Sequence, residues 1–326
     1  MSRKPWSPAP FPGNKRFAFT IMDDTDVATV ENVRPIYELL VRLGIRTTKT
    51  VWPVGCPEGS GNFGSSQTLD DPDYRAFVIG LQRQGFEIAF HGATMETSDR
   101  ARTARGLQVF TDVFGGPPRV HANHSFNREN LYWGTGRIDA PPIRWGYRLT
   151  NGRPAGFYQG HVEGSPYWWG DLAQRHLAYV RNLSFDTPNL LRVNPTLPYR
   201  DARRPLVNWW FSAADAEDCR EFNRLLAPER QDQLESEGGV CIVATHLGKG
   251  FCRAGRVDPE TTSILTRLAA RPGWFVPVGE LLDWLVDHGR ASAVSAPEWR
   301  RMQIQWALDL VTRKARQRTR RIRRVS

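Results

Sequence analysis

The 326-residue sequence predicts an α/β fold built on a mostly parallel sheet or barrel, and three observations predict it. Segments alternate strand, helix, strand, helix from residue 17 to residue 288, with no longer repeat. The run Phe17-Ala18-Phe19-Thr20-Ile21-Met22 is apolar but for Thr20, as a strand buried on both faces requires. Polar side chains then fall directly after predicted strands: Asp23 and Asp24, His91, His121 to His124, and His246. In a parallel barrel the carboxyl ends of the strands share one face, so residues distant in sequence converge there.

Each element has a local reason. Val30 to Leu43 has apolar residues at helical spacing and stops at Gly44. Ile45 to Trp52 is β-branched and reads as a strand. Residues 55–64, rich in Gly, Ser and Asn, form a loop, and Asp70-Asp71-Pro72 opens a helix that Gly85 ends. Phe86 to Phe90 is a short strand; Thr97 or Ser98 caps a helix to about Phe114. Arg119 to Ala122 is a further strand after Gly115-Gly116-Pro117-Pro118. Residues 130–205 are dense in aromatics, Gly and Pro, and only a helix giving way to a strand over Asp171–Asn182 stands out. Beyond them come a strand over Leu206–Ser212, a helix from a capping Asp215 to Leu226, and a strand over Val240–Thr245. A helix over Pro259–Ala270, a strand over Trp274–Val276 and a helix over Val278–His288 complete the pattern.

Composition narrows the setting. No apolar run approaches a membrane span, and the N-terminus lacks the apolar segment of a signal peptide, so a cytoplasmic protein is expected. Four scattered cysteines, Cys56, Cys219, Cys241 and Cys252, read as free thiols. The net charge of +10 is concentrated at the end: residues 313–326 hold eight basic residues and no acid, leaving a body near +2. That run reads as a frayed arm, either a solubilising end or a contact for nucleic acid or an anionic membrane surface.

The first strand delivers Asp23, Asp24 and Asp26 together. Crowded carboxylates need an offsetting charge, and a divalent metal is the usual source. Alone, the cluster fits either a metal site or a helix cap beside solvated acids. Carboxylate plus imidazoles suits zinc or another first-row metal, with a second carboxylate as base and a His as acid, a set suited to hydrolysis of an amide or ester.

The order of these motifs resembles the polysaccharide deacetylase family (carbohydrate esterase family four). Its first motif, Thr-Phe-Asp-Asp-Gly after strand one, compares with Thr20-Ile21-Met22-Asp23-Asp24-Thr25, which implies Asp23 as base and Asp24 as metal ligand. Its second, His-(Ser/Thr)-x-x-His, is met at His91, but Met95 stands where the second His belongs. His124 is the substitute third ligand, with His121 and Glu96 as fallbacks. The late His of the family is matched by His246, implied as general acid. The family's Arg-Pro segment is absent, and Arg181 takes the place of its Arg in orienting Asp23. Asn123, Trp133, Arg181 and Trp52 are the candidate substrate contacts.

The resemblance implies a distorted (β/α) barrel of about seven strands over residues 16–290, between an irregular lead-in at 1–15 and a C-terminal helix and basic tail at 291–326. It implies a metal-dependent hydrolase, with Zn2+ preferred, that removes an acetyl group from an N-acetylated sugar or glycan precursor. The alternatives are a non-hydrolytic glycan-binding relative, or a nucleic-acid- or membrane-associated protein acting through residues 313–326.

Overall fold

Strand β1 (Phe17–Asp23) is buried along its whole length and is the axis of the fold. The computed structural model describes residues 11–151 and 153–325, with 151 and 317–325 as backbone only; most of the expected lead-in lies outside the described residues. After β1 come α1 (Val30–Arg42), β2 (Thr48–Val51), α2 (Pro72–Arg83), β3 (Glu87–Phe90), α3 (Arg100–Phe114) and β4 (Val120–Ala122). Then follow α4 (Pro141–Asn151), α5 (Gly170–His176), β5 (Tyr179–Phe185), β6 (Tyr199–Arg200), β7 (Trp209–Asp215), α6 (Cys219–Leu225), α7 (Pro228–Glu237) and β8 (Val240–Thr245). A small hairpin, β9 (Cys252–Arg253) and β10 (Arg256–Val257), precedes α8 (Pro259–Ala269), β11 (Gly273–Phe275), α9 (Val278–Asp287), β12 (Ser292–Ala293) and α10 (Ala296–Val325).

Seven parallel strands close a barrel in the order β1-β2-β3-β4-β5-β7-β8 and back to β1, as expected for a distorted (β/α) barrel of about seven strands. The distortion is at the amino ends. β1 meets β2 only through Met22 and Asp23, while its first residues pair with β11. β7 meets β8 only through Ala214 and Asp215, while Trp210 pairs with the antiparallel β6. The two seams are therefore drawn together at the carboxyl mouth, where barrel chemistry gathers.

The helices follow their local signals. Thr29 and Asn32 form a reciprocal capping box on α1, whose Val33, Ile36, Tyr37, Leu39 and Leu40 are buried. Asp99, rather than Thr97 or Ser98, caps α3, and Asp218, rather than Asp215, caps α6. A cap must stand where the chain leaves extended geometry; β7 runs on to Asp215, so its side chain is spent on the barrel mouth instead.

The C-terminal basic run is not a free arm over its described side chains. Trp299, Met302 and Trp306 of α10 are buried. Gln303 Oε1 accepts from the Asp139 and Ala140 amides at 2.7 and 3.1 Å, and Trp299 Nε1 donates to Asp139 at 2.6 Å. Arg313 pairs with Asp215, and Arg316 with Asp186 at 2.8 Å. The side chains of residues 317–326 lie outside the described residues. All four cysteines are free, as expected. Among the described residues no helix is long and apolar enough to cross a membrane.

Candidate active site

The three acids after β1 have three different surroundings. Asp23 stands opposite Lys49 in the β1–β2 register, with Lys49 Nζ 2.9 Å from its carboxylate and neither side chain exposed. The Tyr37 hydroxyl and the Leu247 amide donate to the same carboxylate at 2.9 and 2.7 Å. Burial works to lower the Lys49 pKa, but the Asp23 charge brings the ammonium out above its ordinary value. Asp24 takes the Arg181 guanidinium on both oxygens, at 2.8 and 2.5 Å. Against the effect of burial, Arg181 holds that carboxyl below its usual range.

Asp26 collects the imidazoles. Its oxygens lie 3.2 Å from His91 Nε2, 3.4 Å from His124 Nε2 and 3.3 Å from His246 Nε2. The turn that aims it contains Val27 at φ 55, a strained conformation for a β-branched residue and a mark of a held functional loop. Thr25 fixes the turn from below: its amide donates to Thr50 Oγ1 at 3.0 Å and its hydroxyl meets that of Tyr74 at 2.9 Å. Gly92, beside His91, has φ 135, and a Cβ there would lie 3.2 Å from Trp52.

The imidazole tautomers follow from their other nitrogens. His91 Nδ1 faces the Ala122 carbonyl at 3.0 Å, His124 Nδ1 the Asn127 side-chain carbonyl at 3.1 Å, and His246 Nδ1 the Glu217 carbonyl at 2.7 Å. Each Nδ1 therefore carries the proton, which leaves the Nε2 lone pairs of neutral rings turned toward a carboxylate. Lone pairs facing an anion need positive charge between them, from protons or from a cation. Burial lowers the proton affinity of His124 and His246, yet Asp26 first and Asp24 with it hold both rings above their ordinary pKa. Despite burial, the same rings hold Asp26 far below the carboxylate range.

Among the described residues no group of three or more His, Cys, Asp or Glu side chains stands ready-made around an ion. The donor set nevertheless fits one. Zinc ligands at about 2.0–2.1 Å in tetrahedral array stand roughly 3.3 Å apart, close to the Nε2-to-carboxylate spacings. Asp26 Oδ1 and His91 Nε2 are buried without a hydrogen-bond partner, as ligand atoms would be. Backbone and amide carbonyls orient the rings from behind, the usual support of metal-binding imidazoles.

Asp24, Asp26, His91, His124 and His246 open on a cavity of about 400 Å3 at the barrel mouth. Asn123, Trp133 and Arg181, three of the expected substrate contacts, also line it. Its far wall comes from the irregular middle and from α10: Arg137, Tyr147, Tyr158, Trp306, Leu310 and Arg313.

Several expectations change. Asp23 is absent from the cavity lining, and its bonds to Lys49, Tyr37 and Leu247 are those of a structural anchor, not of a base. Arg181 orients Asp24, not Asp23, and occupies both oxygens that the expected metal ligand would offer. Trp52 is fully buried behind the rings, its centroid 4.6 Å from that of His91 and 5.3 Å from that of His124, so it braces imidazoles and does not meet substrate. His121, a fallback ligand, faces the Phe90 carbonyl at 2.9 Å, and burial pushes its pKa down to about 3. Glu96, the other fallback, accepts from Asn62 at 3.2 Å and is not among the groups on Asp26. Met95 takes a bond from Ser65 Oγ at 3.1 Å, leaving the second position of the family's paired histidines without a ligand role.

Sequence reasoning named Asp26 in the acidic cluster and Asp215 as a helix cap without giving either a place in the site, and it missed Lys49 and Arg137. Asp26 had a signal: it follows Asp24 by two residues at the end of the most apolar strand. Lys49 was visible as a cation inside a β-branched strand.

No protein-family model matches the sequence, and no curated protein does so either. Among solved structures, the chain is similar to a candidate polysaccharide deacetylase from Mycobacterium smegmatis, at 13% identity and a TM-score of 0.54, covering 90% of this chain and 98% of that one. It is also similar to Puue allantoinase, at 14% identity and a TM-score of 0.48, over 88% and 98% of the two chains. A candidate polysaccharide deacetylase from Pseudomonas aeruginosa PAO1 aligns at 13% identity and a TM-score of 0.48, over 86% and 95%. The chain has a polysaccharide deacetylase-like fold, as its motif order led us to expect.

Proposed function

We propose that the protein is a metal-dependent hydrolase that removes an acetyl group from an N-acetylated sugar or glycan precursor. One observation carries this reading: Nε2 atoms from three strand ends stand 3.2–3.4 Å from one carboxylate, with every Nδ1 already committed elsewhere. Asp26, His91 and His124 would hold the metal, with zinc favoured by the ligand types. When bound, the metal supplies Lewis-acid polarisation of the acyl carbonyl and lowers the pKa of water. The base passes from the expected Asp23 to Asp24, which shares the cavity and which Arg181 keeps ionised and oriented. Asp24 takes the proton of the attacking water. His246, the most exposed of the three rings at 15%, gives a proton to the departing nitrogen.

The test is metal content and turnover together. The protein is stripped with chelator, reloaded with zinc or cobalt, and assayed for acetate release from N-acetylglucosamine oligomers. Asp26→Asn is expected to lose both bound metal and activity. Asp24→Asn and His246→Ala are expected to keep the metal and lose activity by about 10²-fold or more. A zinc-loaded protein that releases no acetate from any acetylated sugar overturns the reading. Loss of metal from His246→Ala moves that ring from acid to ligand.

A further inference from the structure

The cavity wall holds a cation that no carboxylate offsets among the described residues. Arg137 ends the 3-10 turn Gly134–Arg137 and is only 6% exposed. Its guanidinium carbon lies 3.9 Å from the ring centre of Trp133 and 4.8 Å from that of Trp306. Among the described residues no carboxylate pairs with it. Its Nε is buried without a partner, its Nη1 reaches the Asn182 carbonyl at 3.4 Å, and its other polar neighbour is the neutral hydroxyl of Tyr147.

Of the three other guanidiniums of the cavity, Arg181 is matched by Asp24 and Arg313 by Asp215, while Arg153 is solvent-exposed and lies over the rings of Phe126 and Phe157. Lys49, just outside the cavity, is matched by Asp23. A buried cation without an anion is costly, and proteins keep one where something else brings the charge. Cation–π contacts hold a guanidinium in place while leaving its N–H groups to bind an oxyanion.

We propose that the substrate carries an oxyanion, a carboxylate or a phosphate, and that Arg137 binds it while the acyl group lies at the Asp26 corner. This rests on the hydrolase reading for its acyl end, and on the cavity alone for its anionic end. Burial pulls the Arg137 guanidinium below its ordinary pKa, as expected of a cation awaiting a partner. Lys249 lines the same cavity and adds to its positive field.

The test reads binding rather than turnover. The full chain, zinc-loaded and chelator-stripped, is titrated in a calorimeter with N-acetylglucosamine, N-acetylglucosamine 1-phosphate and N-acetylmuramic acid. At least one acidic sugar is expected to bind about tenfold or more tighter than the neutral one, in both metal states. Which acidic sugar does so identifies the oxyanion. Arg137→Met should abolish the preference and Arg137→Lys should keep part of it. Equal affinities for all three sugars overturn the inference, as does a folded Arg137→Met protein that keeps the full preference. Should the variants fail to fold, the wild-type ranking alone decides. A preference without acetate release sinks the hydrolase reading and leaves this one standing; acetate release without a preference does the reverse.

Discussion

Two cations lie buried around the barrel mouth, Lys49 on β2 and Arg137 in the opposite wall of the cavity. Lys49 is fully enclosed and its charge is met at 2.9 Å by Asp23, one strand away. Arg137 is nearly as enclosed and is met by two indoles, a distant carbonyl and the neutral Tyr147 hydroxyl. Burial opposes both charges, yet only Lys49 emerges with a raised pKa. An internally balanced charge is part of the scaffold, whereas an unbalanced one facing a cavity is a demand for something from outside.

The sharpest way to break this contrast is to remove one charge at a time. Lys49→Met leaves Asp23 buried and unmatched, and should lower unfolding free energy in urea by about 3–5 kcal/mol. Asp23→Asn should cost a similar amount, and the double variant should recover much of it. If instead Asp23→Asn removes activity and leaves stability intact, Asp23 is the base after all.

Glu129 extends the comparison to an anion. It is buried, takes a bond from Asn127 Nδ2 at 3.0 Å, and burial pushes its pKa up to about 7 from the model-peptide 4.5. Between those values the native state holds a proton that the unfolded chain has released. Its contribution is therefore most favourable below pH 4.5 and is lost as pH rises through 7, by about 3 kcal/mol at full ionisation. Denaturation at pH 5 and pH 8 should show Glu129→Gln with a correspondingly flatter slope than the parent. Parallel slopes would contradict the assignment.

Arg137→Met should change stability by no more than about 1 kcal/mol, since lost cation–π contact is offset by removal of an unmatched charge. A loss as large as that of Lys49→Met would mean that Arg137 serves to fasten α10. Arg100 and Asp171 give the solvent-exposed reference. They pair at 2.7 Å, with side chains 42% and 41% exposed, so Arg100→Ala should cost less than about 1 kcal/mol. A larger loss would show that pairing, not burial, governs these charges.

The barrel was legible because a strand buried on both faces leaves an unmistakable apolar run, and because strand ends share one rim. His91, His124 and His246 were singled out by that rule, and the family resemblance gave them their expected roles. The proposed division of labour among the acids was not legible. It depends on the turn over Thr25–Val27, whose strained Val27 carries Asp26 to the imidazoles, while motif spacing pointed one and two residues earlier. The basic C-terminal run was read as a frayed arm, whereas Arg313 and Arg316, among its described side chains, are paired. Charge along the chain is visible, but Asp186 and Asp215, the acidic partners of Arg316 and Arg313, sit 130 and 98 residues upstream. Arg137 belongs to no motif, and its meaning appears only when Trp133 and Trp306 close on it.

Trp306, Leu310 and Arg313 give the last helix a share of the cavity wall. During synthesis, therefore, the acid-and-imidazole corner can assemble while the opposite side of the cleft still awaits α10, which is made later. A ribosome that stopped short of α10 would release a chain with Asp26 and its imidazoles in hand and with Trp306, Leu310 and Arg313 missing from the wall.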